Sequence, residues 1–206
     1  DNVELKATIK DKITKLSSFL KDELFDSSNG VFKRGLNDSL TALDTIAWGV
    51  QVLITLQNSH PDIYVSSGLS DIDLDALISK SDDFKIAVSE GGNTYNLYKF
   101  AMEYASPASG EWTLQLAVSY NMLADLYAQK GDTQKAQEYA NKAKSIVAQM
   151  QAYSQYLGLG NSKFVYSNVD GQRNYTDGWE VYKSPAVCCT AQYSQFIHGK
   201  TFFSFL

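Results

Sequence analysis

Two kinds of helical pattern alternate along this chain, and their alternation restricts the fold more than any other feature. Residues 3–24 and 133–152 carry apolar residues on one face only, as helices with one buried side do. Residues 38–57, 111–129 and 185–198 are apolar in nearly every direction, which is typical of helices buried on all sides. The sequence therefore predicts an all-α fold in which partly solvent-exposed outer helices surround an inner layer of buried helices.

A layered pattern of this kind favours an α/α toroid built from helical hairpins. The five segments above and a short predicted helix over 71–80 give about half of the helices that a ring of six hairpins requires. We therefore expect residues 1–206 to form a single domain with about half a ring. Because bare apolar edges are unstable in water, we expect this chain to be a fragment of a larger toroid or to pair with another chain that closes the ring.

Composition excludes several classes of protein. The net charge is −5, with 18 basic and 23 acidic residues and no long Lys/Arg cluster, which argues against nucleic acid as a partner. Every apolar run is interrupted well before ~18 residues, so no membrane span is predicted. The chain starts at Asp1 without Met or an apolar leader, and we expect a processed protein, secreted or on the cell surface. His60 and His198 lack ligand spacing, so we expect no metal and no cofactor.

Three segments resemble a known family. They read Asp44-Thr-Ile-Ala-Trp48-Gly, then Gly110-Glu-Trp-Thr-Leu-Gln-Leu-Ala117, then Asp177-Gly-Trp179 followed by Ser184-Pro-Ala-Val-Cys-Cys-Thr-Ala-Gln192. In this order they are similar to the last three hairpins of bacterial six-hairpin, (α/α)6-barrel proteins of the glycosidase type. The chain departs from that pattern at Cys188-Cys189, where alanines are more usual, and after residue 199.

This resemblance implies a glycoside hydrolase-like protein that binds a glycan at the mouth of the barrel. Glycoside hydrolysis normally needs two carboxyl groups, one acting as a general acid and one as a base or nucleophile. The resemblance offers Asp44 and Glu111 for these catalytic roles. Residues implied in substrate binding are Trp48, Trp112, Asp177, Trp179 and Tyr182, and the four aromatic ones offer faces that suit sugar rings.

Each of these residues also has a simpler interpretation. Glu111 lies near a predicted helix N-terminus, where the helix dipole alone favours a carboxylate. Asp44 can cap or bond a neighbouring loop, and Asp177-Gly178 is a turn signal. The tryptophans on the predicted helices can be core residues.

A second resemblance covers about 30 residues. Residues 121–146 look like one tetratricopeptide hairpin, with small and aromatic residues at the helix crossing and Gly131-Asp132 at the turn. No second copy follows at a period of ~34 residues. The alternative function is therefore a non-catalytic interaction or self-assembling protein of helical-hairpin type.

Overall fold

Helices dominate the architecture, as the sequence predicts. The computed structural model describes residues 2–38, 40–102, 106–174 and 179–199. About 62% of the chain is helical, with seven α-helices among the described residues. They are α1 (Asn2–Phe19), α2 (Leu43–Ser59), α3 (Pro61–Ser66), α4 (Leu74–Ser79), α5 (Gly110–Gln129), α6 (Thr133–Tyr156) and α7 (Val187–His198). None of the helices in these ranges is long and apolar enough to cross a membrane.

Short antiparallel strand pairs occupy three of the connections. They are β1 (Phe25–Asp26) with β2 (Val31–Phe32), β3 (Lys85–Glu90) with β4 (Asn93–Tyr98), and β5 (Gln172–Asn174) with β6 (Trp179–Val181). The second pair, β3 with β4, forms the longest of these hairpins. Its turn is Gly91-Gly92, and both glycines have a positive φ, which glycine adopts without strain.

The α5–α6 hairpin is the centre of the fold and confirms its prediction closely. Gly131, with a φ of +79°, forms the turn, and the Asp132 side chain caps α6 by accepting from the Lys135 amide at 3.0 Å. The predicted apolar face of α6 is the buried one, and it packs along α5. Twelve of the 20 residues of α5 are buried, so this helix is enclosed as its all-round apolar pattern predicts.

Two predicted burial patterns differ from the structure. The stripe on α1 is largely open to solvent, and Leu16 is 62% exposed. In α7 only Cys189 and Gln192 are buried, and Val187 is 87% exposed. The prediction of an enclosed helix is wrong for α7, since this helix rests on α5 along one side while its other side is uncovered. Helix α2 is intermediate, with one face in the core and Trp48 on the open side.

Two polar clusters fasten the outer elements to the hairpin. Asp75 of α4 accepts hydrogen bonds from the hydroxyls of Tyr127 and Tyr139 at 2.7 and 2.6 Å, and it pairs with Lys135. Because one carboxylate joins three side chains, α4 is held against both helices of the hairpin.

In the second cluster, Glu90 accepts from the Tyr153 hydroxyl at 2.9 Å and from Lys183 at 2.6 Å. This second cluster ties the β3–β4 hairpin and the segment before α7 to α6.

Candidate functional site

The N-termini of α2, α5 and α7 are joined by extended backbone, which we call the collar: residues 41–42, 98–102, 107–109, 164–167 and 184–186. Successive bridges link Ala42 to Ala101, Lys99 to Ala108, Ser109 to Ser167, and Val165 to Pro185. The collar therefore runs from the start of one helix to the start of the next.

Backbone hydrogen bonds fix each helix start to the collar. The Leu43 amide donates to the Phe100 carbonyl at 3.0 Å, and the Gly110 amide donates to the Tyr166 carbonyl at 2.8 Å. The Ala186 amide, just before α7, donates to Phe164 at 3.1 Å. Since α5 packs against both α2 and α7, the three helices leave the collar side by side, with α5 in the middle.

The same position in all three helices carries a polar side chain. Asp44, Glu111 and Cys188 are each the second residue of their helix. The structure thus brings the two predicted catalytic carboxyls to one end of the helix group, beside a thiol. The sequence predicts Glu111 near a helix N-terminus and Asp44 within the helix over 38–57, and the collar makes the starts of these two helices neighbours.

Burial controls the electrostatics of Asp44. Removal of its carboxyl from water raises its pKa to about 6, against the lowering effects of the Thr45 amide, which donates at 2.8 Å, and of the positive charge on Arg34. The negative charge of Glu111 raises the pKa further. Desolvation outweighs both the Thr45 hydrogen bond and the charge of Arg34, so the pKa of Asp44 is raised at a helix start, where a carboxylate is ordinarily favoured.

Glu111 is shifted in the same direction. Burial raises the pKa of its carboxyl, and a hydrogen bond with Cys188 opposes this shift. The collar residue Tyr166 is affected by the same groups. Burial and, to a smaller extent, the negative charges of Glu111 and the two cysteines raise the pKa of its hydroxyl to about 12. Two coupled carboxyls that both resist ionisation are typical of acid/base sites.

The predicted sugar-binding residues are more scattered. Trp48 lies one turn after Asp44, is 47% exposed and lines an apolar groove with Leu20, Leu24 and Val52. Trp112 is half-buried and packs edge-on against Phe100 of the collar, with ring centroids 4.8 Å apart. The Trp112 side chain therefore packs on the collar and stabilises it.

The remaining predicted residues follow β5. Tyr182 is 49% exposed; its hydroxyl contacts Glu180, and its backbone carbonyl accepts from the Ser167 amide of the collar at 3.2 Å. Asp177 lies outside the described residues, as does the side chain of Trp179.

Sequence reasoning missed Arg34, Tyr166 and Cys188 as members of the site. Arg34 forms an ion pair with Asp38 at 2.7 Å, and its charge also acts on Asp44. One signal was available for Cys188, because it interrupts the family-like pattern at the start of a helix. Arg34 and Tyr166 lie in segments without helical periodicity, and long-range backbone pairing brings Tyr166 to the site.

Among the described residues no group of three or more His, Cys, Asp and Glu side chains is arranged to hold a metal ion. Comparison with known proteins gives no further assignment: no protein-family model, no curated protein and no solved structure matches this chain. The function must therefore be argued from the chain's own residues.

The burial of Asp44 predicts a pH-dependent stability. A pKa that rises from 3.8 to about 6 on folding means that the native state binds more protons between these values, so stability falls as pH rises through this window. At pH 7 the ionised carboxyl costs up to ~3 kcal/mol, taking about 1.4 kcal/mol per unit. Asp44→Asn should therefore raise the free energy of unfolding by ~1–3 kcal/mol at pH 7.

Urea denaturation at pH 7 and pH 4.5 checks this prediction. The gain should shrink at pH 4.5, where native Asp44 is mostly protonated. Asp125→Asn, an exposed change on α5, is the matched control and should alter stability by less than ~0.5 kcal/mol at both values. A gain of equal size at both pH values would contradict the assignment of a raised pKa to Asp44.

Proposed function

We propose that this chain is a secreted or cell-surface, carbohydrate-active protein of glycoside hydrolase type, which binds a glycan at the collar. The observation that supports it is the pairing of Asp44 and Glu111. These carboxyls occupy equivalent positions on neighbouring helices, both have raised pKa values, and the charge of Glu111 acts on Asp44. Two carboxyls with separate roles are what glycoside hydrolysis requires.

The two environments favour different roles. Asp44, with a pKa of about 6, holds its proton in mildly acidic solution and is the general acid that protonates the leaving oxygen. Glu111 is assigned as the base or nucleophile because burial raises its pKa while the neighbouring Cys188 opposes that rise, and among the described residues no negative charge adds to it as one does at Asp44. Activity then falls above about pH 6 as Asp44 loses its proton, and it falls at low pH as Glu111 gains one.

Aromatic residues near the collar supply the sugar contacts in this proposal. Trp48 offers an exposed ring one turn from Asp44, and Tyr182 offers a second exposed ring on a segment bonded to the collar. Trp112 contributes indirectly by packing against Phe100. Asp177 and Trp179 stay predictions of the resemblance.

The toroid is also part of this proposal. Helices α2, α5 and α7 start from one collar, as inner helices of a ring would, and α6 returns along the outside of α5. In this arrangement the described helices form about half of the ring. The uncovered sides of α1 and α7 are then the two open edges.

A glycan panel tests the function. The folded chain is incubated with neutral and acidic polysaccharides and oligosaccharides at pH 5 and pH 8, and products are separated by chromatography. We expect shortened oligosaccharides from at least one substrate at pH 5 and little product at pH 8. Absence of both binding and cleavage for every glycan, with a folded protein, would contradict a carbohydrate-active role.

An interaction function is the second candidate, and the exposed stripe on α1 favours it. Leu5, Ile9 and Leu16 are each close to half exposed or more, although they share one face of the helix. The stripe leads towards the apolar groove beside Trp48. A continuous apolar surface of this kind marks a contact with another helical element, on another chain or a further domain that closes the ring.

The isolated chain should cover this stripe by self-association. We expect sedimentation at ~100 µM to show species larger than the monomer, and Leu16→Glu to shift them towards the monomer. Ala7→Glu adds the same charge on the opposite face of α1 and should leave association unchanged. A wild-type chain that stays monomeric, or equal effects of the two variants, would contradict a role for the stripe.

A further inference from the structure

A groove outside the collar lies between the β3–β4 hairpin and the last turns of α6. Its volume is about 490 Å³, within the ~300–1,000 Å³ of typical small-ligand sites. It is lined from β4 by Asn93, Thr94 and Tyr95, and from α6 by Gln149, Gln155 and Tyr156. These described residues carry amide or hydroxyl groups, and none of them is charged. The groove therefore suits a ligand that is polar and neutral.

The ring of Tyr156 forms a fixed aromatic surface in this groove. It packs against Tyr95, with ring centroids 5.9 Å apart, and Tyr95 in turn packs on the buried Tyr153 at 5.1 Å. It also lies directly over the hairpin turn, because a Cβ on Gly91 would come within 2.3 Å of the Tyr156 ring. The Tyr156 side chain is nevertheless 44% exposed. Because the ring is already held from two sides, it can contact a ligand at little cost in side-chain entropy.

Two glutamines of the same groove are also held in place. Gln149 Oε1 accepts from the Asn96 amide at 2.9 Å, and Gln155 Nε2 donates to Asn161 Oδ1. These contacts engage the oxygen of one side-chain amide and the nitrogen of the other. Because an amide group has both a donating and an accepting end, Gln149 Nε2 is then a donor and Gln155 Oε1 an acceptor for a ligand.

We propose that this groove binds one sugar unit of a neutral glycan, at a site separate from the collar. A sugar ring has an apolar C–H face, which suits the ring of Tyr156, and hydroxyl groups at its rim that both donate and accept, as the two glutamines require. An anionic ligand is not favoured, because no described residue of the lining is a cation. Glu90 and Lys183, which contact Tyr153 behind the groove, pair with each other at 2.6 Å.

An extended peptide fits this groove less well than a sugar. A peptide that adds to a sheet pairs through the amides of an open strand edge. On the edge of β4 that faces the helices, the Asn96 amide donates to Gln149 and the Tyr98 amide donates to Thr113 Oγ1 at 3.2 Å, so these amides are already engaged. The inference goes beyond the proposed function, because the groove would hold a sugar without Asp44 or Glu111.

A nuclear magnetic resonance titration of the ¹⁵N-labelled chain locates the binding. The probes are neutral oligosaccharides of glucose, mannose, xylose, galactose and N-acetylglucosamine, with an oligogalacturonate as the acidic comparison and a neutral glycine–serine peptide as the peptide comparison. We expect at least one neutral oligosaccharide to shift the side-chain amide signals of Gln149 and Gln155. The Kd should be on the order of 1 mM, because an open groove covers only part of the ligand. The acidic probe and the peptide should leave these signals unchanged.

Three variants test which groups bind the sugar. Tyr156→Ala should weaken binding by ~10-fold or more, since aromatic residues supply much of the energy of such contacts. Tyr156→Phe keeps the ring face and is the matched control, with an affinity within ~2-fold of the wild type. Gln155→Ala removes an acceptor from an exposed position and should weaken binding by ~3-fold or more.

The proposal is overturned if no neutral oligosaccharide shifts the two glutamine signals, or if the acidic probe or the peptide shifts them instead. It is also overturned if Tyr156→Ala, folded by circular dichroism, binds as tightly as Tyr156→Phe. Should Tyr156→Ala fail to fold, an unchanged affinity in Gln155→Ala has the same meaning. Shifts at the groove in a chain that cleaves no glycan would reject the hydrolase function and keep this site, whereas cleavage without such shifts would do the reverse.

Discussion

Glu111→Gln is expected to reduce glycan hydrolysis by ~10²–10⁴-fold while the chain stays folded. The amide has nearly the same shape as the carboxyl but cannot accept a proton or act as a nucleophile, so the loss should match the usual contribution of a general base. Because the buried carboxyl of Glu111 resists ionisation, its replacement should not destabilise the protein at neutral pH. Initial rates on the best substrate of the panel, measured with thermal unfolding, check both statements.

Two companion variants sharpen this experiment. Asp125→Asn removes an exposed carboxylate from the same helix and should leave the rate unchanged. Asp44→Asn removes the proposed acid, and a loss of the fall in rate near pH 6 would identify that residue as its source. Unchanged turnover in Glu111→Gln would remove this residue from the mechanism.

Local signals made the α5–α6 hairpin predictable. A continuous apolar pattern, a Gly-Asp turn and a second amphipathic pattern specify two packed helices without reference to the rest of the chain. The same kind of signal was less exact at α2, because the apolar pattern over 38–57 begins before the first helical residue, Leu43. Asp38 pairs with Arg34 and accepts from the Leu40 amide at 2.9 Å before the helix begins.

The extent to which the terminal helices are buried could not be predicted. An apolar face indicates that a helix packs against another element, but it does not identify that element. The apolar patterns of α1 and α7 predict buried helices, yet apolar side chains such as Leu16 and Val187 are exposed in this chain. This difference has a physical interpretation in the proposed half ring, since both helices lie where further helices would pack.

The candidate site was predictable only in part for a related reason. Glu111 carries a local signal, a carboxyl at the start of an apolar helix, and Asp44 is one of the few polar residues of another apolar helix; their proximity follows once the two helices share one end. Tyr166 carries no such signal: it is brought to the site by backbone pairing of the collar with segments far away in sequence. Such pairing depends on the whole fold and leaves no periodic trace.

Gly110→Ala should be the most destabilising single change in the collar, with an expected loss of ~2–4 kcal/mol in the free energy of unfolding. A Cβ at this position would lie 1.9 Å from the Val165 carbonyl oxygen. That oxygen cannot move away easily, because it accepts from Cys189 and its residue is bridged to Pro185. The helix start, the collar or both must therefore shift.

The displacement of the α5 N-terminus or the collar should also change the geometry of the candidate site. Gly110 directly precedes Glu111, and its amide anchors α5 to Tyr166 at 2.8 Å, so displacement of this start moves the carboxyl relative to Asp44. We expect Gly110→Ala to lower hydrolysis more than its stability loss alone would at a temperature where the variant is still folded. Gly35→Ala is the matched control: no atom lies within 4 Å of its Cβ, so its free energy of unfolding should change by less than ~0.5 kcal/mol. If Gly110→Ala unfolds at the same urea concentration as Gly35→Ala, the close contact between α5 and the collar is wrong, and with it the common origin of the three helices on which the site depends.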